Sequence, residues 1–446
     1  MKDDDQTGGM NAVHLAFRAL HHRNFRLFTY GQAISLIGTW MQQVAVGWLV
    51  YRLTNSAFLL GLVSFAGQVP GLFITPISGV LADRLNKHRM VIFAQVAMMI
   101  QAGLLAFLVL SDHVSIGWII FLMTMLGAAS GFDIPARQAF LIEMVDDRDD
   151  LPNAIALNSS MFNAARLIGP ALAGFAIAAV GEGWVILGNA LSYIAVLASL
   201  LTMRVAPRPK QSARGEVFRT LGAGFSYAFG FSPIRSILLL VVVVSISGVP
   251  FSVLLPVVTR DVLNGDARTL GFLMSATGLG ALSGALYLAS RRTVVGLGRL
   301  IVVAGSLFGV ALLSLSLARS IWLSSICLAV AGFGMMAQMA SCNTVLQTIV
   351  DDDKRGRVMS MYAMAYVGMA PFGSLMQGAL ASRIGVSWTL AVGGSITLGA
   401  VAFFGARLPV LREVIRPIYE RMGILEEVAS GIEAATSGAR AEARTG

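Results

Sequence analysis

The segment from Gly79 to Arg89, GVLADRLNKHR, places a charged stretch between two long apolar runs. Residues 57–82 carry no charged side chain, and neither do residues 90–111. Uncharged runs of about 20 residues or more cross a bilayer as helices, because a helix satisfies its own backbone hydrogen bonds in lipid. The two runs are therefore expected to form a transmembrane helical hairpin. Its turn carries Asp83, Arg84, Lys87 and Arg89, and short loops rich in Lys and Arg lie on the cytosolic side.

The composition extends this interpretation to the whole chain. Of its 446 residues, 56% are hydrophobic and 13% are charged, whereas a soluble domain has about 25% charged residues. The sequence therefore predicts an all-α polytopic membrane protein. The net charge of +9 does not predict a nucleic-acid partner, because the basic residues fall in short loops and not on one folded face. Cys327 and Cys342 lie within apolar runs and form no CxxC motif, so neither a metal site nor a cofactor is expected.

The charge pattern divides the chain into twelve spans. We place them at residues 25–51, 57–82, 90–110, 117–141, 153–180, 184–203, 233–260, 268–290, 296–317, 320–349, 357–382 and 386–407. This gives a cytosolic segment (1–24), a six-helix half (25–203), a cytosolic linker (204–232), a second six-helix half (233–408) and a cytosolic tail (409–446). With this division, 27 of the 33 Lys and Arg residues lie on the cytosolic side, so both termini are expected in the cytosol.

The two halves show a weak internal repeat. The acidic turn Val145–Asp147 precedes a span with Gly169 and Pro170, and the acidic turn Val350–Asp352 precedes a span with Ala370 and Pro371. Repeats of this kind are typical of transporters built from two halves around a central path.

These features resemble the major facilitator superfamily over about residues 20–408. The signature loop of that superfamily has the form Gly-x-Leu-Ala-Asp-Arg-x-Gly-Arg-Lys/Arg, and this chain matches it at Gly79, Leu81, Ala82, Asp83 and Arg84, with Lys87 and Arg89 as the following basic residues. Asn86 replaces the glycine and His88 interrupts the basic pair. Because Asn tolerates a left-handed backbone, the turn is expected to be kept.

The resemblance implies a fold of two pseudo-symmetric six-helix halves and a conformational latch on the cytosolic face. In that latch Asp83 would contact the start of span eleven and Arg137 at the end of span four, while Gly79 would let helices approach closely. The alternative for Asp83 is a solvated loop charge. The segments Pro135–Phe140, Asp150–Ala154 and Asn163–Pro170 are similar to the branch that contains the enterobactin exporter and macrolide efflux pumps.

Span five also matches part of the drug-antiporter motif, through Gly169, Pro170 and Gly174, which we interpret as helix-packing residues. Asn158 and Ala165 stand where glycines are usual in that motif. The arginine that drug antiporters often carry within span four is absent.

Two ionisable residues lie within the predicted spans and could act in transport. Arg166, in the middle of span five, either faces a cavity and contacts an anionic substrate or packs on backbone carbonyls. Asp133 in span four either carries a proton to the substrate path or stabilises the helix break beside Pro135, for example by pairing with Arg137.

Three glutamines are further candidates for the substrate path. In the major facilitator fold that the resemblance implies, spans one, four, seven and ten line this path. Gln42 and Gln43 lie in span one and Gln338 lies in span ten. The alternative for each is a hydrogen bond between helices.

The function expected from these features is secondary active transport, as proton-coupled export of a small amphipathic organic molecule such as a siderophore or drug from a bacterial cell, across its inner membrane. The expected partners are that substrate, membrane lipids and the proton, and the protein is expected to be a monomer. Two alternatives remain open: a lysophospholipid flippase or importer, and a membrane sensor or scaffold that transports nothing.

Overall fold

The computed structural model describes residues 17–204, 229–291 and 293–423, and within them the side chain of Asp83 lies outside the description. The first half contains six long helices. They are α1 (Arg23–Thr54), α2 (Ala57–Arg84), α3 (Lys87–Leu110), α4 (Ile116–Leu141), α5 (Leu151–Val180) and α6 (Glu182–Thr202). Short 3-10 turns at Arg18–His21 and Arg148–Asp150 precede α1 and α5.

The second half repeats this arrangement. Its regular helices are α8 (Ala267–Ala289), α9 (Leu297–Leu317), α10 (Ile321–Ile349) and α12 (Val386–Arg421). The span α7 begins as Ser232–Ser247 and continues through the irregular turns Val249–Leu254, Leu255–Val257 and Val258–Val262. The span α11 consists of Asp352–Ala363, a π-helical turn at Met364–Gly368, and Ala370–Ile384.

The prediction of twelve spans is confirmed. Eleven stretches of the described chain are long and apolar enough to cross a membrane as continuous segments, and α11, which the π-helical turn interrupts, supplies the twelfth. Helix α11 begins at Asp352, whereas its span was predicted from residue 357, and α12 continues to Arg421, beyond the predicted end at residue 407. Of the predicted linker and tail, residues 205–228 and 424–446 lie outside the described residues.

The α2–α3 hairpin forms as predicted, but Asn86 acts differently from expectation. Its backbone is extended, with φ of −74°, and its side-chain oxygen accepts a hydrogen bond from the backbone N–H of Arg89 at 3.1 Å. Asn86 therefore caps the start of α3 instead of supplying a left-handed turn. Left-handed glycines occur elsewhere and support the internal repeat: Gly181 joins α5 to α6 with φ of 86°, and Gly385 joins α11 to α12 with φ of 83°.

Helices of each half pack mainly on one another. In the first half α1 packs on α5 and α6, and α4 packs on α2 and α3. In the second half α10 packs on α8 and α9, and α12 packs on α7 and α9. Two helix pairs, α5 with α8 and α2 with α11, make the main contacts between the halves.

Candidate functional site

The two halves approach most closely near one end of the bundle. We call the end with the α2–α3 turn the proximal end, and the end with the α1–α2 turn at Asn55 the distal end. On α5 and α8, a Cβ added to Gly174 would lie 2.8 Å from the carbonyl oxygen of Ala267 and 3.0 Å from the Cα of Gly271. On α11, a Cβ added to Gly378 would lie 2.7 Å from the carbonyl oxygen of Ala57 on α2. These glycines allow backbone contact between the halves in the distal part of the bundle.

A polar contact also joins the halves at the distal end. The hydroxyl of Tyr51 on α1 donates a hydrogen bond to the carboxylate of Asp261 at the end of α7. The guanidinium of Arg260 lies 5.9 Å from the centre of the Tyr51 ring. Arg52 pairs with Glu182 on α6 at 2.8 Å, but both of these residues belong to the first half. The distal end is thus closed by helix packing together with the Tyr51–Asp261 hydrogen bond.

A cavity of about 350 Å³ lies between the halves. Seven spans contribute to its lining: α1, α2, α4, α6, α7, α8 and α11. The polar residues of its wall are Thr39, Gln42, Gln43, Ser64, Gln68, Asn189, Tyr193, Ser252 and Ser374. The described lining residues carry no formal charge, and most of the remaining wall is aliphatic. A wall of this kind suits an amphipathic molecule, because amide and hydroxyl groups orient it while apolar side chains cover the rest.

Gln42 and Gln43 lie at this cavity, and their assignment to the substrate path stays a prediction. Gln42 is also part of a buried amide cluster: it accepts a hydrogen bond from Asn189 at 2.6 Å and donates one to Gln101 at 3.3 Å. The cluster joins α1, α3 and α6. Gln42 therefore combines the two roles considered for it, a position at the cavity and a hydrogen bond between helices.

Gln338 lies apart from the other two glutamines. It is fully buried on α10, and its amide is 2.7 Å from where a Cβ of Gly305 on α9 would lie. It does not contribute to the cavity wall, and α10 supplies no described residue to that wall. The structure thus places Gln338 in the packing of the second half.

Asp133 is buried in α4 and has two partners. The Nε atom of Arg137 lies 3.0 Å from one carboxylate oxygen, and Gln95 of α3 donates a hydrogen bond to the other at 2.9 Å. Asp133 is not among the residues that line the cavity. In this conformation the geometry is that of the structural alternative, in which Asp133 pairs with Arg137 one turn away.

The proximal end shows how the predicted latch residues are arranged here. Arg137 pairs with Asp133, and Lys87 pairs with Glu143 at 2.7 Å, so both pairs lie within the first half. Arg84 is exposed, and a Cβ at Gly79 would meet nothing within 4 Å, so the close helix approach expected at Gly79 is not made in this conformation. The Asp83 side chain lies outside the described part of the structure, and its role stays a prediction.

Arg166 lies on α5 and faces α1. Its guanidinium is 5.9 Å from the centre of the Trp40 ring, and Trp40 makes an edge-on contact with Phe162 at 5.7 Å. A cation over an indole ring is a favourable arrangement, which reduces the cost of the charge within a span. Arg166 is half-buried and does not contribute to the wall of the 350 Å³ cavity.

Helix packing around α5 agrees with the interpretation of Gly169, Pro170 and Gly174. Gly169 meets Trp40 of α1, where a Cβ would lie 2.5 Å from the Cβ of Trp40. Gly174 meets α8, as described above, and a Cβ at Gly271 would lie 2.5 Å from the carbonyl oxygen of Pro170. These residues allow α5 to contact one helix of each half.

Several functional candidates escaped the sequence analysis. They are Tyr51 and Asp261 at the distal contact, Gln95 beside Asp133, Glu143 beside Lys87, and Asn189 at the cavity. An acidic residue at the end of an apolar span was the available signal for Asp261 and Glu143. For Gln95 and Asn189 no local pattern distinguished a path residue from an ordinary polar contact between helices.

Comparison with known proteins connects this geometry to a family. Residues 15–421 match the model of the family described as transmembrane secretion effector. The chain is 28% identical to the staphyloferrin A transporter of Staphylococcus aureus over 84% of its own length and 93% of that protein. It is 27% identical to the multidrug efflux pump Tap of Mycolicibacterium fortuitum, over 83% and 92% of the two chains.

Solved structures share the fold at lower identity. A transporter of the POT family aligns with a TM-score of 0.70 at 10% identity, covering 87% of this chain and 96% of that one. A bacterial homologue of the human lysosomal transporter Spinster, in an inward-facing conformation, aligns with a TM-score of 0.64 at 14% identity, covering 90% and 98%. From the extent of the family match, supported by this fold, the chain belongs to the transmembrane secretion effector family and is a transporter of the major facilitator superfamily.

Proposed function

We propose that this transporter exports small amphipathic organic molecules from the cytosol of a bacterium across the inner membrane. The observation that carries the proposal is a cavity of mixed polarity between two halves that approach one another most closely near the distal end. The excess of Lys and Arg in the loops of the proximal end supports a cytosolic position for that end. The cavity then collects its substrate from the cytosolic side. Because one chain supplies both halves of the cavity, we propose that the protein acts as a monomer.

The transport cycle we propose alternates between this distal-closed state and a proximal-closed state. The two halves would rock about the cavity as rigid units. In the proximal-closed state Arg137 would leave Asp133 and pair with Asp83, which forms the latch expected from the signature loop. Arg137 lies about one helical turn before the proximal end of α4 at Leu141, on the same side of the bundle as the α2–α3 turn that carries Asp83.

We propose proton exchange as the driving force, with Asp133 as the group that carries the proton. When Arg137 pairs with Asp83, the Asp133 carboxylate loses its counter-ion and can take a proton from the distal side. The return of Arg137 to Asp133 would restore the ion pair at 3.0 Å and release that proton toward the cytosol. One proton would enter for each substrate molecule that leaves.

The relatives support a small organic substrate but differ in what their names describe. One is named for a siderophore, staphyloferrin A, and the others for multidrug and macrolide efflux. The uncharged cavity wall favours a molecule that is recognised by hydrogen bonds and apolar contact.

Inverted membrane vesicles provide the test. Fluorescent amphipathic compounds and a catecholate siderophore are offered to vesicles with and without an imposed pH gradient. Export in cells corresponds to uptake into these vesicles, and we expect uptake that a protonophore abolishes. Uptake only into right-side-out vesicles would indicate an importer, and movement of labelled lysophospholipid alone would indicate a flippase. A lack of transport in both vesicle orientations would contradict the proposal.

A further inference from the structure

A second and larger cavity lies at the proximal end, away from the interface between the halves. This groove has a volume of about 960 Å³ and is formed by α7, the start of α9, the end of α10 and the last turns of α12. Its apolar wall includes Ile237, Ile301, Val345, Phe404 and Leu408. The volume is near the upper limit of about 1,000 Å³ for pockets that hold small ligands.

The groove lies where α12 changes from an apolar to a charged helix. Phe403 and Val410 on α12 are 61% and 62% exposed, as expected for side chains that face lipid. Beyond Leu411 the same helix carries Arg412, Glu413, Arg416, Glu420 and Arg421. A transition of this kind marks the boundary between the acyl chains and the head groups of a bilayer.

The guanidinium groups of two arginines at the groove have no hydrogen-bond or ion-pair partner among the described residues. Arg299 on α9 and Arg412 on α12 are both exposed, and both line the groove. The third arginine, Arg416, pairs with Glu420 at 2.8 Å, and Glu413 is the remaining charged residue of the wall. The groove therefore combines an apolar wall with two unpaired cationic groups.

The start of α9 adds to the positive character of this site. The helix begins at Leu297 after Gly296, whose φ is 84°, and no side chain caps its first turn. The N–H groups of Leu297 and Arg299 bond to the carbonyl oxygens of Val294 and Gly296 at 3.2 and 3.0 Å, so the attraction for an anion comes from the positive end of the helix dipole. Gly296 and Gly298 both line the groove, so this helix terminus faces it together with Arg299.

We propose that the groove binds an anionic phospholipid of the proximal leaflet. The phosphate would lie between Arg299, Arg412 and the start of α9, and an acyl chain would cover the apolar wall beside Leu408 and Phe404. Basic pockets at the cytoplasmic ends of membrane helices suit anionic head groups in this way. The site is separate from the central cavity and does not depend on which molecule the protein transports.

Retention of lipid by the purified full-length protein tests this site. Native mass spectrometry compares the protein with phosphatidylglycerol and with phosphatidylcholine of the same acyl chains. We expect the wild-type protein to retain one phosphatidylglycerol in preference to phosphatidylcholine. We expect R299Q/R412Q to lower the fraction with this lipid by about fivefold or more, and each single variant to give a smaller loss.

The matched control is R407Q/R421Q, which removes two exposed arginines of α12 that do not line the groove. It should retain phosphatidylglycerol as the wild-type protein does. Equal retention by R299Q/R412Q and the wild type, or equal retention of the two lipids by the wild type, would overturn the proposal.

The chain's own tail is the competing occupant, since Glu426 and Glu427 follow α12. If the tail fills the groove in place of lipid, the wild-type protein will not retain phosphatidylglycerol in preference to phosphatidylcholine, and the proposal is wrong.

Discussion

The hydroxyl of Tyr51 donates a hydrogen bond to the carboxylate of Asp261, and this contact joins the two halves of the transporter at its distal end. The two residues are 210 positions apart in the chain. Their contact lies at the same end of the bundle as the close approaches of Gly174 to Gly271 and of Gly61 to Gly378. The distal closure therefore has a polar component and a packing component, and each can be altered separately.

Removal of the polar component should favour opening of the distal end. Tyr51→Phe keeps the ring and deletes the hydroxyl, and a hydrogen bond to a charged group contributes about 1.5–3 kcal/mol. The population of the distal-open state should rise about tenfold or more. The measurement is labelling of Ser252→Cys, which lies at the cavity, by an impermeant maleimide applied from the distal side. Tyr30→Phe, on the exposed surface of α1, should leave the labelling rate unchanged. An unchanged labelling rate in Tyr51→Phe would show that this hydrogen bond does not keep the distal end closed.

Disruption of the close packing at Gly174 should also favour opening of the distal end. Gly174→Ala places a methyl group 2.8 Å from the backbone oxygen of Ala267, and overpacking of this kind costs about 1–3 kcal/mol. We expect faster labelling of Ser252→Cys and slower transport. Gly103→Ala on α3 is the control, because its methyl group would meet nothing within 4 Å. If Gly174→Ala transports at the wild-type rate, the close packing at Gly174 does not keep the distal end closed.

The latch prediction concerns the state in which the proximal end is closed. Asp83→Asn should fold and bind substrate, but its transport should fall at least tenfold because Arg137 loses its second carboxylate partner. Thermal unfolding in detergent and substrate binding check that the variant is intact, and vesicle transport gives the effect. Asp112→Asn removes an exposed aspartate from the distal α3–α4 turn and should transport normally. Normal turnover in Asp83→Asn would remove the latch from the mechanism.

Proton coupling can be separated from substrate movement at Asp133. Asp133→Asn cannot carry a proton, so accumulation driven by a pH gradient should be lost. Exchange of substrate for substrate, which moves no net proton, should persist. Glu182→Gln is a matched control, since Glu182 is also an acid paired with an arginine in the first half, at 2.8 Å. If Asp133→Asn still accumulates substrate in response to the gradient, the proton is carried elsewhere.

Local sequence patterns were sufficient to predict most of the fold. The uncharged runs on both sides of the Asp83–Arg89 turn indicated α2 and α3, and the charge pattern indicated twelve spans. The predicted start of α11 was less accurate. The helix begins with the charged residues Asp352 to Arg355, which an apolar-span criterion excludes. The extension of α12 to Arg421 is amphipathic, and an apolar-span criterion ends at its first charges.

The site was only partly predictable for a different physical reason. The pairing of Asp133 with Arg137 follows from their spacing of one helical turn and was foreseen as an alternative. The contacts of Asp133 with Gln95, and of Tyr51 with Asp261, depend on which helices become neighbours in the bundle. Gln338 carried the same residue-level signal as Gln42, yet it lies in the packing of the second half and not at the cavity.

The alternating movement itself is most directly tested by distances between spin labels. One pair, at Asn55 and Arg383, reports on the distal end, and the other, at Leu85 and Asp353, reports on the proximal end; all four residues are exposed. Asp133→Asn mimics the protonated state and releases Arg137, so relative to wild type the distal distance should lengthen and the proximal distance should shorten. Unchanged distances, or changes of both distances in the same direction, would contradict the proposed cycle.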